Sequence, residues 1–156
     1  GENTIERYNV KKVNWDKYDI VVISDYCKGM LTKEDIAFIA STHQCVFLDT
    51  KKPLGNWCKD INFIKINNYE YEKTKHILDQ DIKNKMIITL GPEGCSYRSK
   101  IFPVKNVEIK DVSGAGDTFL AGLVVQYLKT KNIEKAVIFA NECATKVVQR
   151  RGVSVV

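Results

Sequence analysis

The sequence lacks any apolar run near the roughly 18 residues that a membrane-spanning helix needs. Its first residues, Gly1-Glu2-Asn3-Thr4-Ile5-Glu6-Arg7, contain no apolar signal core. A cytoplasmic chain with no membrane partner is therefore expected. Metal-ligand spacing is absent too: Cys27, Cys45, Cys58, Cys95 and Cys143 form no C-x-x-C pair, and His43 and His76 stand isolated. An odd, dispersed cysteine set reads as reduced thiols rather than metal ligands. No basic-aromatic stripe of the kind that binds nucleic acid occurs. The net charge of +5 comes from scattered basic residues, paired for example at Lys51-Lys52 and Arg150-Arg151, and suits at most an anionic small molecule. Internal repeats and low-complexity linkers are missing as well.

What is present is enough chain for one domain. A globular chain of 156 residues buries about two thirds of the surface its unfolded form exposes. Short apolar, β-branched runs occur at Asp19–Ser24, Cys45–Asp49, Asn62–Ile66 and Met86–Leu90, the composition of strands buried on both faces. Helical patterns alternate with them. Thr32-Lys33-Glu34-Asp35 resembles a capping box and opens a helix with Ile36, Ile39 and Ala40 on one side. Asn67-Asn68-Tyr69-Glu70 leads into a further helix. Gly91-Pro92-Glu93-Gly94 is a turn, Cys95–Arg98 a hairpin strand, and Ile101–Val107 more extended chain. Two helices follow, one with Phe119, Leu120, Leu123, Val124, Tyr127 and Leu128 inward. The other carries Ile133, Ala136, Val137, Ala140, Ala144, Val147 and Val148. Gly152 is expected to stop it, before a closing strand over 153–156. Strand–helix alternation with polar residues after the strands predicts an α/β fold, its largely parallel sheet flanked by helices and its ligands at the strands' carboxyl ends.

The centre of this pattern is Lys110-Asp111-Val112-Ser113-Gly114-Ala115-Gly116-Asp117-Thr118-Phe119. Small residues at a helix start let backbone N–H groups approach a ligand, and the first turn's free donors and dipole suit phosphate or a developing oxyanion. A carboxylate at Asp117 could there meet a hydroxyl. Taken alone it could equally be a helix cap. Three further strand-end segments accompany it: Asp49-Thr50-Lys51, Asn67-x-x-Glu70 and Thr89-x-Gly91-x-x-Gly94.

In this order, the segments resemble the C-terminal half of the ribokinase-like (PfkB) carbohydrate kinase family, whose signature Asp111-x-x-Gly114-Ala115-Gly116-Asp117 matches. Ser24-Asp25-Tyr26-Cys27-Lys28-Gly29, Asp49-Thr50-Lys51-Lys52, and Phe139-Ala140-Asn141 with Gly152-Val153-Ser154 are similar to its heptose 7-phosphate kinase branch. The resemblance covers roughly residues 18–156. It implies a ribokinase-like fold with a C-terminal hairpin region, and ATP-dependent phosphorylation of a sugar or sugar-phosphate hydroxyl. Asp117 would be the base, and the backbone of Gly114, Ala115, Gly116 and Asp117 the anion hole. Asn67 and Glu70 would organise Mg²⁺ and phosphate through water, with no direct protein ligand to the metal. Thr89, Gly91 and Gly94 would line the nucleotide phosphates and ribose, Asn141 the adenine side, and Lys51 a phosphate. Lys28 and Asp111 are weaker substrate-side candidates, and a monovalent cation could sit near Asp111 and Ser113.

Residues 1–18 read as an extension or remnant of a preceding half, and 19–156 as the nucleotide-binding half. No glycine-rich sugar-binding segment precedes Asp19 and no H-x-G-H occurs, so the sugar-binding half and lid are expected to be absent. Such a chain is expected to self-associate as a homo-oligomer or to need that half. A non-catalytic nucleotide-binding or regulatory module is the competing reading.

Overall fold

The computed structural model describes residues 9–27, 29–104 and 115–150, the last five by backbone alone. Two compact units divide the chain, Gly1–Ile88 and Thr89–Val156.

In the first unit, strands β1 (Val21–Asp25), β2 (Val46–Thr50), β3 (Phe63–Asn67) and β4 (Met86–Thr89) lie side by side in sequence order. β1 pairs parallel with β2, Asp25 opposite Thr50, and β2 pairs parallel with β3, Phe47 opposite Phe63. Helix α1 (Lys33–Thr42) links β1 to β2, and the short helices α2 (Asn68–Thr74) and α3 (Gln80–Lys83) lie between β3 and β4. The first three strands begin and end slightly later than the apolar runs predict. Hydrophobicity marks where a strand is buried, whereas pairing continues to polar end residues that have partners of their own. Asp25, Thr50 and Asn67 are thereby the last residues of their strands.

The expected capping box forms. Thr32 Oγ1 accepts from the Asp35 N–H at 3.1 Å, and Asp35 Oδ2 accepts from the Thr32 N–H at 2.9 Å. The box fixes the rotation of α1, so Ile36, Ile39 and Ala40 reach a core shared with Val46, Leu48, Ile64 and Met86. Each large aliphatic side chain buried there contributes about 1.5–3 kcal/mol. β2 is buried on both faces, Phe47 packing on Phe63 at 4.9 Å between ring centroids. β1 alternates instead: Val21, Ile23 and Asp25 are buried while Val22 and Ser24 are exposed. His43 ends α1 in a structural role. A carbonyl can only accept, so Nε2 donates to the Tyr18 carbonyl at 2.5 Å, which leaves Nδ1 to accept the Cys45 N–H at 3.0 Å.

In the second unit, β5 (Cys95–Tyr97) and β6 (Lys100–Phe102) form an antiparallel hairpin. Arg98 and Ser99 turn it with φ of 50° and 66°. Both central residues are left-handed, as the I′ turn favoured by strand twist requires. Helices α4 (Ala115–Thr130) and α5 (Ile133–Arg150) pack together, and Phe119, Leu120, Leu123, Ala136, Val137 and Ala140 are buried. Gly122 permits the close approach, since a Cβ there would stand 3.1 Å from Cys143 Sγ. Leu128, expected inward, is 46% exposed. It lies in the last turn of α4, where the chain already reverses through Lys131. The predicted stop at Gly152 and the strand over 153–156 fall outside the described residues, as do Lys28, Asp111 and Gly114.

Candidate functional site

The strand ends of the first unit gather three lysine–carboxylate pairs: Lys51 with Glu70 at 2.9 Å, Lys52 with Asp25 at 2.6 Å, and Lys65 with Asp49 at 3.4 Å. Their accessibility differs in a way that decides which lysine can meet a ligand. The Lys52 and Lys65 side chains are 14% and 12% exposed, whereas Lys51 is 50% exposed. The hydrogen bond to Glu70 raises the Lys51 ammonium above its ordinary range, against a smaller opposing effect of burial, so it stays charged.

Glu70 is fixed by its own helix start. Asn67 caps α2, its Oδ1 accepting the Glu70 N–H at 2.8 Å, while its Nδ2 donates to Glu70 Oε1 at 2.8 Å. One side chain thus holds both ends of the Asn67-x-x-Glu70 motif. Lys51 Nζ donates to the same Oε1. A metal bound directly at that oxygen would have to share it with an ammonium, so the pair fits a hydrated cation better than a bare one. Among the described residues no group of three or more His, Cys, Asp and Glu could hold a metal ion. A site of one carboxylate and one amide suits Mg²⁺, which keeps most of its waters and leans on substrate phosphates.

In the second unit, Thr89 ends β4 and the chain closes a tight turn. The Leu90 N–H donates to the Gly94 carbonyl at 2.8 Å, and the Gly94 N–H to the Gly91 carbonyl at 3.1 Å. Gly91 and Gly94 have φ of 65° and 100°. Their surroundings differ. A Cβ on Gly91 would meet nothing within 4 Å, so its backbone is open to a ligand. A Cβ on Gly94 would lie 2.0 Å from the Phe102 carbonyl oxygen, so Gly94 is required by the hairpin itself.

Helix α4 opens on Ala115-Gly116-Asp117, with Asp117 exposed in the first turn. Over 16 residues the helix is long enough for its first-turn N–H groups to carry the dipole's positive end. Asn141 on α5 is buried, and its Nδ2 donates to the Phe102 carbonyl at 2.9 Å. It thereby ties α5 to the hairpin, a duty that Asn and a strand carbonyl at this separation in sequence do not announce. Burial pushes the neighbouring Cys95 thiol up to about 12, though a hydrogen bond with Asn141 opposes this, and pushes Cys58 up to about 11. Both are packing residues rather than nucleophiles.

The structure therefore brings Lys51 and Asn67 each into direct contact with Glu70 in one unit. It sets Thr89, Gly91, Gly94, Ala115, Gly116, Asp117 and Asn141 in the other. Asp25 and Thr50-Lys51-Lys52 lie in two of the stretches singled out in the sequence, but the contact of Asp25 with Thr50 and Lys52 was not legible there. Its one sequence signal is that Asp25 and Thr50 follow consecutive apolar runs, which a parallel register brings level.

This fold defines a class. It is ribokinase-like, matching a ribokinase from Thermotoga maritima with a TM-score of 0.70 and 20% identity over 92% of this chain and 56% of that one. An uncharacterized sugar kinase from Pyrococcus horikoshii matches with a TM-score of 0.67 and 24% identity, covering 94% of this chain and 57% of that one. Residues 34–155 match the pfkB family carbohydrate kinase, and the chain belongs to that family. It is similar to the bifunctional protein HldE of a Nitratiruptor species, 34% identical over 155 residues, 87% of this chain and 33% of the relative. HldE of Campylobacter curvus is 32% identical over 174 residues, covering 95% of this chain and 37% of that protein. The chain thus spans about a third of the length of these curated relatives. No helix among the described residues is long and apolar enough to cross a membrane.

Proposed function

We propose that this chain is the nucleotide-handling half of an ATP-dependent carbohydrate kinase whose acceptor is a sugar phosphate of the heptose 7-phosphate type. The observation that carries the reading is the start of α4, where an exposed carboxylate stands in a helix turn built from Ala115 and Gly116. Asp117 accepts the proton of the acceptor hydroxyl, a contribution of about 10²–10⁴ in rate. The N–H groups of residues 114–117 stabilise charge developing on the transferred phosphoryl group, since positioning and electrostatics supply most of such catalysis.

Lys51, held as an ammonium by Glu70, contacts nucleotide phosphate. Glu70 and Asn67 would hold a hydrated Mg²⁺ through its waters, and the ion would there neutralise phosphate charge. Thr89, Gly91 and Gly94 form the turn beside the nucleotide, and Gly91 offers it bare backbone. Asn141 acts on the adenine side by holding α5 to the hairpin rather than by a free amide. Lys28 and Asp111 belong to the substrate side of the same proposal, and the branch assignment draws on the similarity to HldE proteins.

The test is ADP release from ATP by the full natural chain with heptose 7-phosphate and with simple hexoses, alongside calorimetric ATP titration. Turnover favouring the heptose phosphate is expected. ATP binding with no turnover on any sugar would leave a nucleotide-binding module and contradict the proposal.

A further inference from the structure

Asp25 takes no part in the phosphoryl-transfer scheme, yet its bonds converge on the residues around Lys51. It is buried at the last position of β1. Its Oδ1 accepts the Cys27 N–H at 3.0 Å, and its Oδ2 accepts Thr50 Oγ1 at 2.8 Å and Lys52 Nζ at 2.6 Å. Its backbone carbonyl accepts the Lys51 N–H at 3.1 Å, and Thr50 Oγ1 in turn accepts the Lys52 N–H at 3.0 Å. Every residue of the turn Thr50-Lys51-Lys52 is thus fastened to Asp25, through side chain, main chain and side chain respectively. The Lys51 ammonium is left out of the cluster and reaches Glu70 instead.

This arrangement has an energetic logic. A buried carboxylate is costly unless it is paired and hydrogen-bonded. Burial pushes the Asp25 carboxyl up, but the bonds from Lys52, Thr50 and the Cys27 N–H together outweigh it and hold the group below the ordinary carboxylate range. Lys52 is consumed by that pairing. Of the two adjacent lysines, one is a largely buried anchor and the other is half exposed.

We propose that Asp25 is a positioning residue that clamps Thr50 and Lys52 so that Lys51 alone of this turn presents its ammonium to the nucleotide phosphates. The inference rests on the reading of Lys51 as a phosphate contact. Misplacing a binding group by about 1 Å is enough to lose much of its effect, and a clamp on both flanking residues prevents such drift.

The experiment measures the calorimetric Kd for ATP and the sugar KM of the full natural chain, for Lys51→Met, Asp25→Asn and the double variant. Lys51→Met is expected to weaken ATP about tenfold, the loss of one charge-assisted contact. Asp25→Asn should weaken it about three- to tenfold with the sugar KM unchanged. The double variant should be no weaker than Lys51→Met, because residues acting through one contact are non-additive. Thr50→Val should reproduce the Asp25→Asn effect and Thr50→Ser restore wild-type affinity, which keeps the test open if Asp25→Asn does not fold. An unchanged ATP Kd in Asp25→Asn and Thr50→Val, or losses that multiply with that of Lys51→Met, would reduce Asp25 to a structural tie and overturn the proposal. If Lys51→Met itself binds ATP normally, the phosphate reading of Lys51 fails, and the clamp falls with it for that separate reason.

Discussion

Gly91 and Gly94 share one turn, yet different forces require them. At Gly91 the demand is conformational alone, a φ of 65° in open space. At Gly94 a φ of 100° is joined by a carbonyl oxygen where a Cβ would stand. Gly91→Ala should therefore cost about 1 kcal/mol, the penalty of a left-handed alanine. Gly94→Ala should cost about 3 kcal/mol or more, because strain and a backbone clash combine. Urea unfolding of the two variants checks the order, and equal losses would show that the Phe102 carbonyl can move aside. The sequence marks both positions identically, as glycines of one motif. It marks the Asn67–Glu70 pair well, because its chemistry and spacing are local: the two residues meet across a single helical turn. Asp25 has no such local signal. Apart from the Cys27 N–H, its partners lie at the end of the next strand and just beyond it, and only the parallel register makes them neighbours.

Among the elements, the strands and long helices are legible because apolar periodicity and the Thr32–Asp35 box are strong local signals that agree with the packing. Two reversals are not. The hairpin turn at Arg98-Ser99 and the α4–α5 joint at Lys131 both use left-handed residues that are neither glycine nor asparagine. Each costs about 1–2 kcal/mol locally. The hairpin ladder offsets the first, and the packed helix pair the second. At the joint the Lys131 N–H still bonds the Tyr127 carbonyl at 2.8 Å, and Asn132 caps α5 by accepting the Lys135 N–H at 3.1 Å. Replacing Lys131 with glycine removes the side-chain penalty and keeps both bonds, at the loss of the Lys131 ammonium lying 5.9 Å from the Tyr127 ring centroid. Lys131→Gly is expected to raise stability by about 0.5–1 kcal/mol in urea unfolding, net of the unfolded-state entropy that glycine adds. A loss of stability would mean that the Lys131 side chain contributes packing of its own.

For the whole molecule, the acid side of the stability profile follows from Asp25. Its carboxyl is held below the ordinary range in the folded state, so its contribution is fully present above the unfolded value near pH 4 and fades as pH falls through the lower folded value. Stability should thus decline below about pH 4, and Asp25→Asn should flatten that decline. Asp25→Ala should cost about 3 kcal/mol at neutral pH, because it leaves the Lys52 ammonium without its partner. Urea unfolding at stepped pH measures both, and a decline identical in Asp25→Asn would assign the acid limb to other carboxylates.

The α/β class and the family are legible from strand–helix alternation and four ordered motifs. Their grouping into two compact units is not, since both sides of the boundary at Ile88–Thr89 carry the same local strand pattern. In the proposed kinase, Asp117 accepts a proton from a carbohydrate hydroxyl. The most direct measurement is single-turnover phosphorylation by Asp117→Asn in the full natural chain, paired with its ATP Kd. The predicted result is a rate at least about 10²-fold lower, with ATP affinity within about twofold of wild type. Phosphorylation at the wild-type rate by Asp117→Asn would contradict it.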